Sequence, residues 1–91
     1  MIFEWEAAKS ARNARERGLP FEVAMAVFDG PRLESPDDRR DYGERRVRAI
    51  GLVRNVALVC VYSDRDEARR IISLRVANRK ERHAYGEAYP R

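Results

Sequence analysis

ERRVRAIGLVRNVALVCVYSDRDEARRIISLR, residues 44–75, decides the fold, because from Glu44 onward the side chains alternate with a period of two. Glu44, Arg46 and Arg48 share one face of an extended chain, and Arg45, Val47, Ala49 and Gly51 share the other. Val56 to Tyr62 is a continuous apolar run rich in β-branched residues, the pattern of a central strand covered on both faces. Arg54-Asn55 between the two segments permits a tight hairpin, and residues 64–68 make a second turn. Residues 69–75 then predict a further strand. Strict alternation sends Arg70, Ile72 and Leu74 one way and Arg69, Ile71, Ser73 and Arg75 the other. On that reading Arg70 and Arg75 meet only if one sits at a strand end, and Arg75 is the better placed.

The flanks supply helices. Ile2-Phe3-Glu4-Trp5 predicts one short strand at a sheet edge. Residues 6–17 are rich in helix formers and Gly18 stops them. Their apolar stripe is thin, Ala7, Ala11 and Ala14 with Ala8 beside them, which leaves Lys9, Arg12, Asn13 and Arg17 near the rim. Pro20 opens a second helix whose Phe21, Ala24, Met25 and Phe28 fall at i, i+3, i+4 and i+7. Asp29-Gly30-Pro31 ends it. Residues 32–43 read as a loop with a short edge strand near Arg32–Ser35. Asn78 with Glu81 fits the cap and third position of a last helix, striped by Ala84, Tyr85, Ala88 and Tyr89 and closed by Pro90. The expected fold is α+β: N-terminal helices packed on a small antiparallel sheet, with a C-terminal helix. Trp5, Phe21, Met25, Phe28, Val59, Val61 and Tyr85 are expected to share one core.

The chain has 91 residues, which predicts one domain over 1–91. Hydrophobic residues make up 44% and charged residues 37%, so it is a globular chain with a heavily solvated exterior. The longest apolar run has seven residues, against the ~20 needed to cross a bilayer. No basic stretch followed by an apolar one opens the sequence, so a cytoplasmic protein away from membranes is expected. Charge is uneven: residues 1–44 carry 7 basic and 10 acidic side chains, residues 45–91 carry 12 and 5. A basic C-terminal half suggests a polyanionic partner. Of the 19 basic residues 17 are Arg, whose planar fork suits phosphate oxygens; a GC-rich genome accounts for that ratio equally well.

Much chemistry is excluded. The five glycines are scattered, so no phosphate-cradling loop exists. A single cysteine, Cys60, rules out paired-cysteine metal sites and sits mid-strand as an inert buried thiol. Asp37-Asp38 reads as a solvated turn, and His83, off its helix stripe, reads as a surface residue. Neither a cofactor nor a metal is expected. The face of Glu44, Arg46 and Arg48 offers something sharper. Metal-free RNA cleavage needs a base for the 2′-hydroxyl, cations for the phosphorane and a proton for the leaving oxygen. Glu44 suits the first role, Arg46, Arg70 or Arg75 the second, and a tyrosine or polarised water the third. The competing interpretation is a cross-strand salt-bridge ladder on a solvated face, and spacing alone favours that ladder.

A wider pattern shifts the balance. Phe3-Glu4-Trp5 with Lys9 and Asn13, then Gly18-x-x-Phe21-Glu22-x-Ala24-x-x-Val27-Phe28-Asp29, resembles the start of BrnT-family toxins. The resemblance continues through Asp38-x-Arg40-Asp41-Tyr42-Gly43-Glu44-x-Arg46, Ile50-Gly51 and Val59-x-Val61-Tyr62. It ends with Arg70-Ile71-Ile72-Ser73-x-Arg75-x-Ala77, Glu81-Arg82 and Tyr85, in family order over nearly the whole chain. Glu16-Arg17-Gly18 stands where many relatives carry Lys-His-Gly, and Leu74 where many carry Ala; Arg17 supplies charge but no base at neutral pH.

The resemblance implies a RelE-like fold and the toxin half of a bacterial type II toxin–antitoxin pair, a ribonuclease that arrests translation. It also implies a BrnA-like antitoxin as partner, with operator DNA bound only through the complex. Glu44, Arg46, Arg70 and Arg75 are the residues expected to carry cleavage, in one concave site beside the first helix. Lys9, Arg17, Arg48, Arg79 and Arg82 are expected to hold RNA. The alternatives are a non-catalytic nucleic-acid-binding protein using the same face, or an antitoxin-binding module that contributes to operon repression.

Overall fold

Two tight turns build most of the sheet. Arg54 and Asn55 both take positive φ, 51° and 66°, as a two-residue hairpin turn requires, and join β3 (Val47–Val53) to β4 (Val56–Arg65). Asp66, at φ 53°, helps turn β4 into β5 (Ala68–Val76). β2 (Arg32–Pro36) lines the other side of β3, and β1 (Ile2–Glu4) completes the order β1-β5-β4-β3-β2. These elements come from a computed structural model that describes residues 1–90; Arg91, the last residue of the expected domain, lies outside the described residues.

The sheet is mixed, which corrects the expected antiparallel one. β2 to β5 form an antiparallel meander, but β1 runs parallel to β5, with Ile2, Phe3 and Glu4 opposite Ala68, Arg69 and Arg70. The helices between β1 and β2 carry the chain from one sheet edge to the other, and the meander then returns to β1. β3 also begins later than Glu44: Asp37 N–H donates to Arg46 C=O at 2.9 Å, and residues 38–45 form a loop above that bond.

β5 breaks the simple alternation. Its register against β4 slips by one residue, with Val61 opposite Ser73 but Tyr62 opposite Ile71, so Ile72 is an extra residue, a β-bulge. Ile71 and Leu74, three apart, therefore both reach the same core. Arg70, Ser73 and Arg75 share the opposite face.

α1 (Ala7–Arg17) ends at Gly18 (φ 69°), whose N–H bonds back to Ala14 C=O at 3.0 Å. It docks through polar side chains rather than through Ala7 and Ala11, which are exposed. Ser10 Oγ accepts from Phe21 N–H at 2.9 Å, and Asn13 Nδ2 donates to Leu19 C=O at 2.7 Å and Leu74 C=O at 2.9 Å. The expected second helix is a 3₁₀ turn (Phe21–Val23) running into α2 (Ala24–Val27). The tighter winding brings the buried positions to a period of three. Phe21, Ala24 and Val27 go inside, Phe28 is half-buried, and Met25 is 38% exposed.

The sheet also divides the expected single core in two. On the α1/α2 face, Phe21, Ala24, Val27, Cys60, Tyr62, Ile71 and Leu74 cluster, with Trp5 and Phe28 against them. On the other face Ile50, Ala57, Val59 and Ala77 meet Tyr85 of α3 (Arg79–Ala88). Asn78 and Glu81 form the expected capping box, at 2.8 and 2.9 Å. Tyr85 Oη donates to Pro31 C=O at 3.0 Å, fixing α3 to the start of β2. At Gly51 a Cβ would lie 3.0 Å from both Cγ1 and the carbonyl oxygen of Val27. Gly51→Ala is therefore expected to cost ~1–3 kcal/mol by overpacking, read as a lower urea midpoint at constant slope.

Candidate functional site

Strand register lays polar side chains in rows across the α3 face. Ser35, Arg48, Val61 and Ser73 are successive neighbours from β2 to β5. One step toward the hairpin, the row is Leu33, Ile50, Val59 and Arg75. One step the other way come Asp37, Arg46, Ser63, Arg70 and Glu4: Asp37 N–H bonds to Arg46, Ser63 Oγ donates to Arg45 C=O at 2.9 Å, and Ser63 and Glu4 both face Arg70. Arg46, Arg48, Arg70 and Arg75 thus stand on one face of the sheet. That face carries α3 and lies opposite the α2 core.

Each guanidinium is oriented by a partner. Arg46 stacks on the Tyr42 ring, 3.9 Å from its centroid, and its Nε donates to Glu44 Oε2 at 3.2 Å. Glu44, outside β3, also accepts from Arg65 Nη2 at 2.8 Å; the Arg65 bond and then Arg46 hold its carboxyl below the ordinary range. Arg70 lies 3.9 Å from Glu4, a loose pair. Arg75 forks onto Glu81 at 2.7 and 2.8 Å. Arg39 forks onto Asp37 at 2.7 and 2.9 Å, and its charge also acts on Arg75. Arg48 donates to Ser35 Oγ at 3.4 Å and stands where its charge acts on both Asp37 and Glu81.

The remaining sequence candidates lie elsewhere. Lys9 and Arg17 line a cleft of about 240 Å³ between α1 and β5, which Arg75 also lines. Arg79 opens α3 and is exposed, and Arg82 folds back onto Ala77 C=O at 2.9 Å beside a separate hollow lined by Tyr85 and Tyr89. Neither joins the rows. Glu44 lines a different hollow, with Arg45, Ser63 and Arg65, from the cleft that Arg75 lines.

Sequence reasoning gave no role to Arg39, Ser63 or Ser73, invoked a tyrosine without singling out Tyr42, and placed Asp37 in solvent. Asp37 is 4% exposed. Its only signal was an acid two residues before an arginine at a strand end. Cys60 is buried, and burial pushes its thiol up to about 12, so it is inert. His83 is exposed on α3 and pairs with Glu87 at 2.8 Å. Among the described residues no three His, Cys, Asp or Glu side chains group to hold a metal ion, and no helix is long and apolar enough to cross a membrane.

The Arg75–Glu81 pair carries a pH signature. The fork from Arg75 holds Glu81 down from the ordinary 4.5 to about 2. Folding lowers this pKa, so the pair's contribution is complete above the ordinary carboxylate value and is lost as pH falls through about 2. Glu81→Gln keeps the cap acceptor and removes the charge. It is expected to cost ~1.5–3 kcal/mol at neutral pH, a gap that narrows in acid. Urea unfolding at neutral and acid pH reads it, and an equal gap at both would show that the charge contributes nothing.

Fold and face together define a small α+β protein with a bank of oriented guanidiniums, a surface suited to phosphate-rich ligands. Within that class the chain belongs to the BrnT family, described as the ribonuclease toxin, BrnT, of type II toxin–antitoxin systems, which it matches over residues 5–81. Among curated proteins none matches the chain at a significant level. Family membership makes RNA cleavage the activity to explain and implies an antitoxin as partner.

Proposed function

We propose that the chain, as one toxin domain of RelE-like arrangement, is a metal-independent endoribonuclease that cleaves RNA on the α3 face of the sheet. The observation that carries this reading is the placing of Arg46, Arg48, Arg70 and Arg75 on one face in three adjacent rows. Neighbouring strands lie about 4.8 Å apart, so long side chains from β3 and β5 converge over β4. The 2′-hydroxyl attacks phosphorus in line, the bond to the 5′-oxygen breaks, and a 2′,3′-cyclic phosphate and a 5′-hydroxyl result. Arg46, Arg70 and Arg75 take the charge that builds on the phosphorane. Glu44, ionised at neutral pH, receives the 2′ proton, and Tyr42, stacked on Arg46, protonates the leaving oxygen.

The toxin acts in the cytoplasm, arrests translation and is held inactive by a BrnA-like antitoxin, through which alone it reaches operator DNA. Expression without antitoxin is expected to stop growth. The purified protein is expected to cut single-stranded RNA in EDTA, leaving cyclic-phosphate ends. RNA binding without cleavage would instead favour the non-catalytic reading, and neither binding nor arrest would remove both.

A further inference from the structure

β1 covers β5 only at Ala68–Arg70, so the rest of that strand's edge faces α1 rather than another strand. The cleft between them has a wall made by Lys9, Arg12, Asn13, Glu16 and Arg17, spaced i, i+3, i+4, i+7 and i+8 along one helix face. Three cations there oppose one carboxylate. Phe21 and residues 72–75 line the rest of the cleft. Asn13 Nδ2 holds Leu74 C=O at 2.9 Å, which shows that Leu74 turns its peptide groups toward the cleft; its N–H points the same way, as both groups of one residue do in a strand. Ser73 is exposed at the lip, in the same row as Arg48, and Arg75 lines the cleft while its guanidinium forks on Glu81 across the edge. Cleft and cationic face therefore run into each other over β5.

We infer that this cleft is a second phosphate-binding subsite, which takes the backbone of single-stranded RNA flanking the scissile phosphate. The inference rests on the proposed ribonuclease function. Lys9, Arg12 and Arg17 hold phosphate oxygens, and the open strand edge offers a backbone donor. The strand would pass from α1 over Ser73 onto the α3 face.

The test is the salt dependence of binding of a labelled, unstructured oligoribonucleotide, with a dinucleotide as the short comparison, followed by anisotropy. In the Lys9→Ala/Arg12→Ala variant the log–log salt slope is expected to flatten by ~1.4, at roughly 0.7 per lost single-strand contact. Its affinity for the oligomer is expected to fall about tenfold, and much more than its affinity for the dinucleotide. Arg15→Ala removes one positive charge from the same helix outside the cleft, and its slope should stay with the parent's rather than flatten by the ~0.7 of a lost contact. Alanine suits these exposed helix positions, so the variants are expected to fold. An unchanged slope in the double variant, an equal flattening in Arg15→Ala, or equal losses for both ligands would overturn the subsite. If the parent binds RNA without cutting it while the slope still flattens, the subsite stands and the nuclease reading falls. A parent that binds no RNA removes both.

Discussion

Arg46→Ala is expected to slow RNA cleavage by ~10²–10³ while leaving the protein folded, because one guanidinium on the phosphorane is worth several kcal/mol. Arg46 stacks on Tyr42 and is oriented by Glu44, so the side chain is held in place before substrate arrives. Arg46→Lys should recover little: the charge returns, but the planar fork that meets two phosphate oxygens does not, nor does the guanidinium 3.9 Å above the Tyr42 ring. Arg70, with only a long contact to Glu4, should behave like Arg46. Arg75→Ala needs a stability control, because it also breaks the fork onto Glu81. Initial rates on an unstructured RNA, with growth arrest in parallel, read all three. If Arg46→Ala and Arg75→Ala both keep full activity, the reaction takes place elsewhere, and the α1 cleft with Arg17 becomes the next site to test.

Phe21→Ala is expected to remove ~3–5 kcal/mol of stability. Phe21 is 2% exposed and sits where α1, α2 and the sheet meet. Its N–H is held by Ser10 Oγ, which fixes the backbone and limits collapse around the void. A domain of this size has only about 5–15 kcal/mol in total, so the variant should lie close to unfolding at ordinary temperature. Met25→Ala is the matched contrast. Helical spacing gave Phe21 and Met25 the same inward face, yet Met25 is 38% exposed and its loss should stay below about 1 kcal/mol. Urea midpoints separate the two, and comparable losses would mean that the 3₁₀ entry into α2 is misplaced.

Features with a local cause were legible in the sequence. Arg54-Asn55 marks its hairpin because both residues must tolerate positive φ, and Gly18 and the Asn78–Glu81 box mark helix ends because they satisfy orphaned backbone groups. Alternation placed Arg46 and Arg48 together because both belong to one uninterrupted run into β3. Features decided by distant contacts were hidden. Nothing in Ile2–Glu4 says that its partner is residues 68–70, or that the pairing is parallel. The burial of Asp37 depends on the Arg39 fork and on closure of the 38–45 loop, neither of which a run of charges discloses. Arg70 and Arg75 seemed to face apart because the bulge at Ile72 has no residue signature: Ile-Ile-Ser-Leu reads as ordinary strand.

That bulge makes chain length between the two arginines a quantity in its own right. A strand is a binary code in which each added residue reverses the side that follows, and the surplus residue near 72 restores parity between positions five apart. The identity of residues 71–74 can drift within the limits of the core beneath them. The surplus residue cannot be paired away: the same residues in unbroken alternation would leave hairpin, strand and helix recognisable and would still turn one arginine through the sheet, dividing the cationic face without altering a single charge.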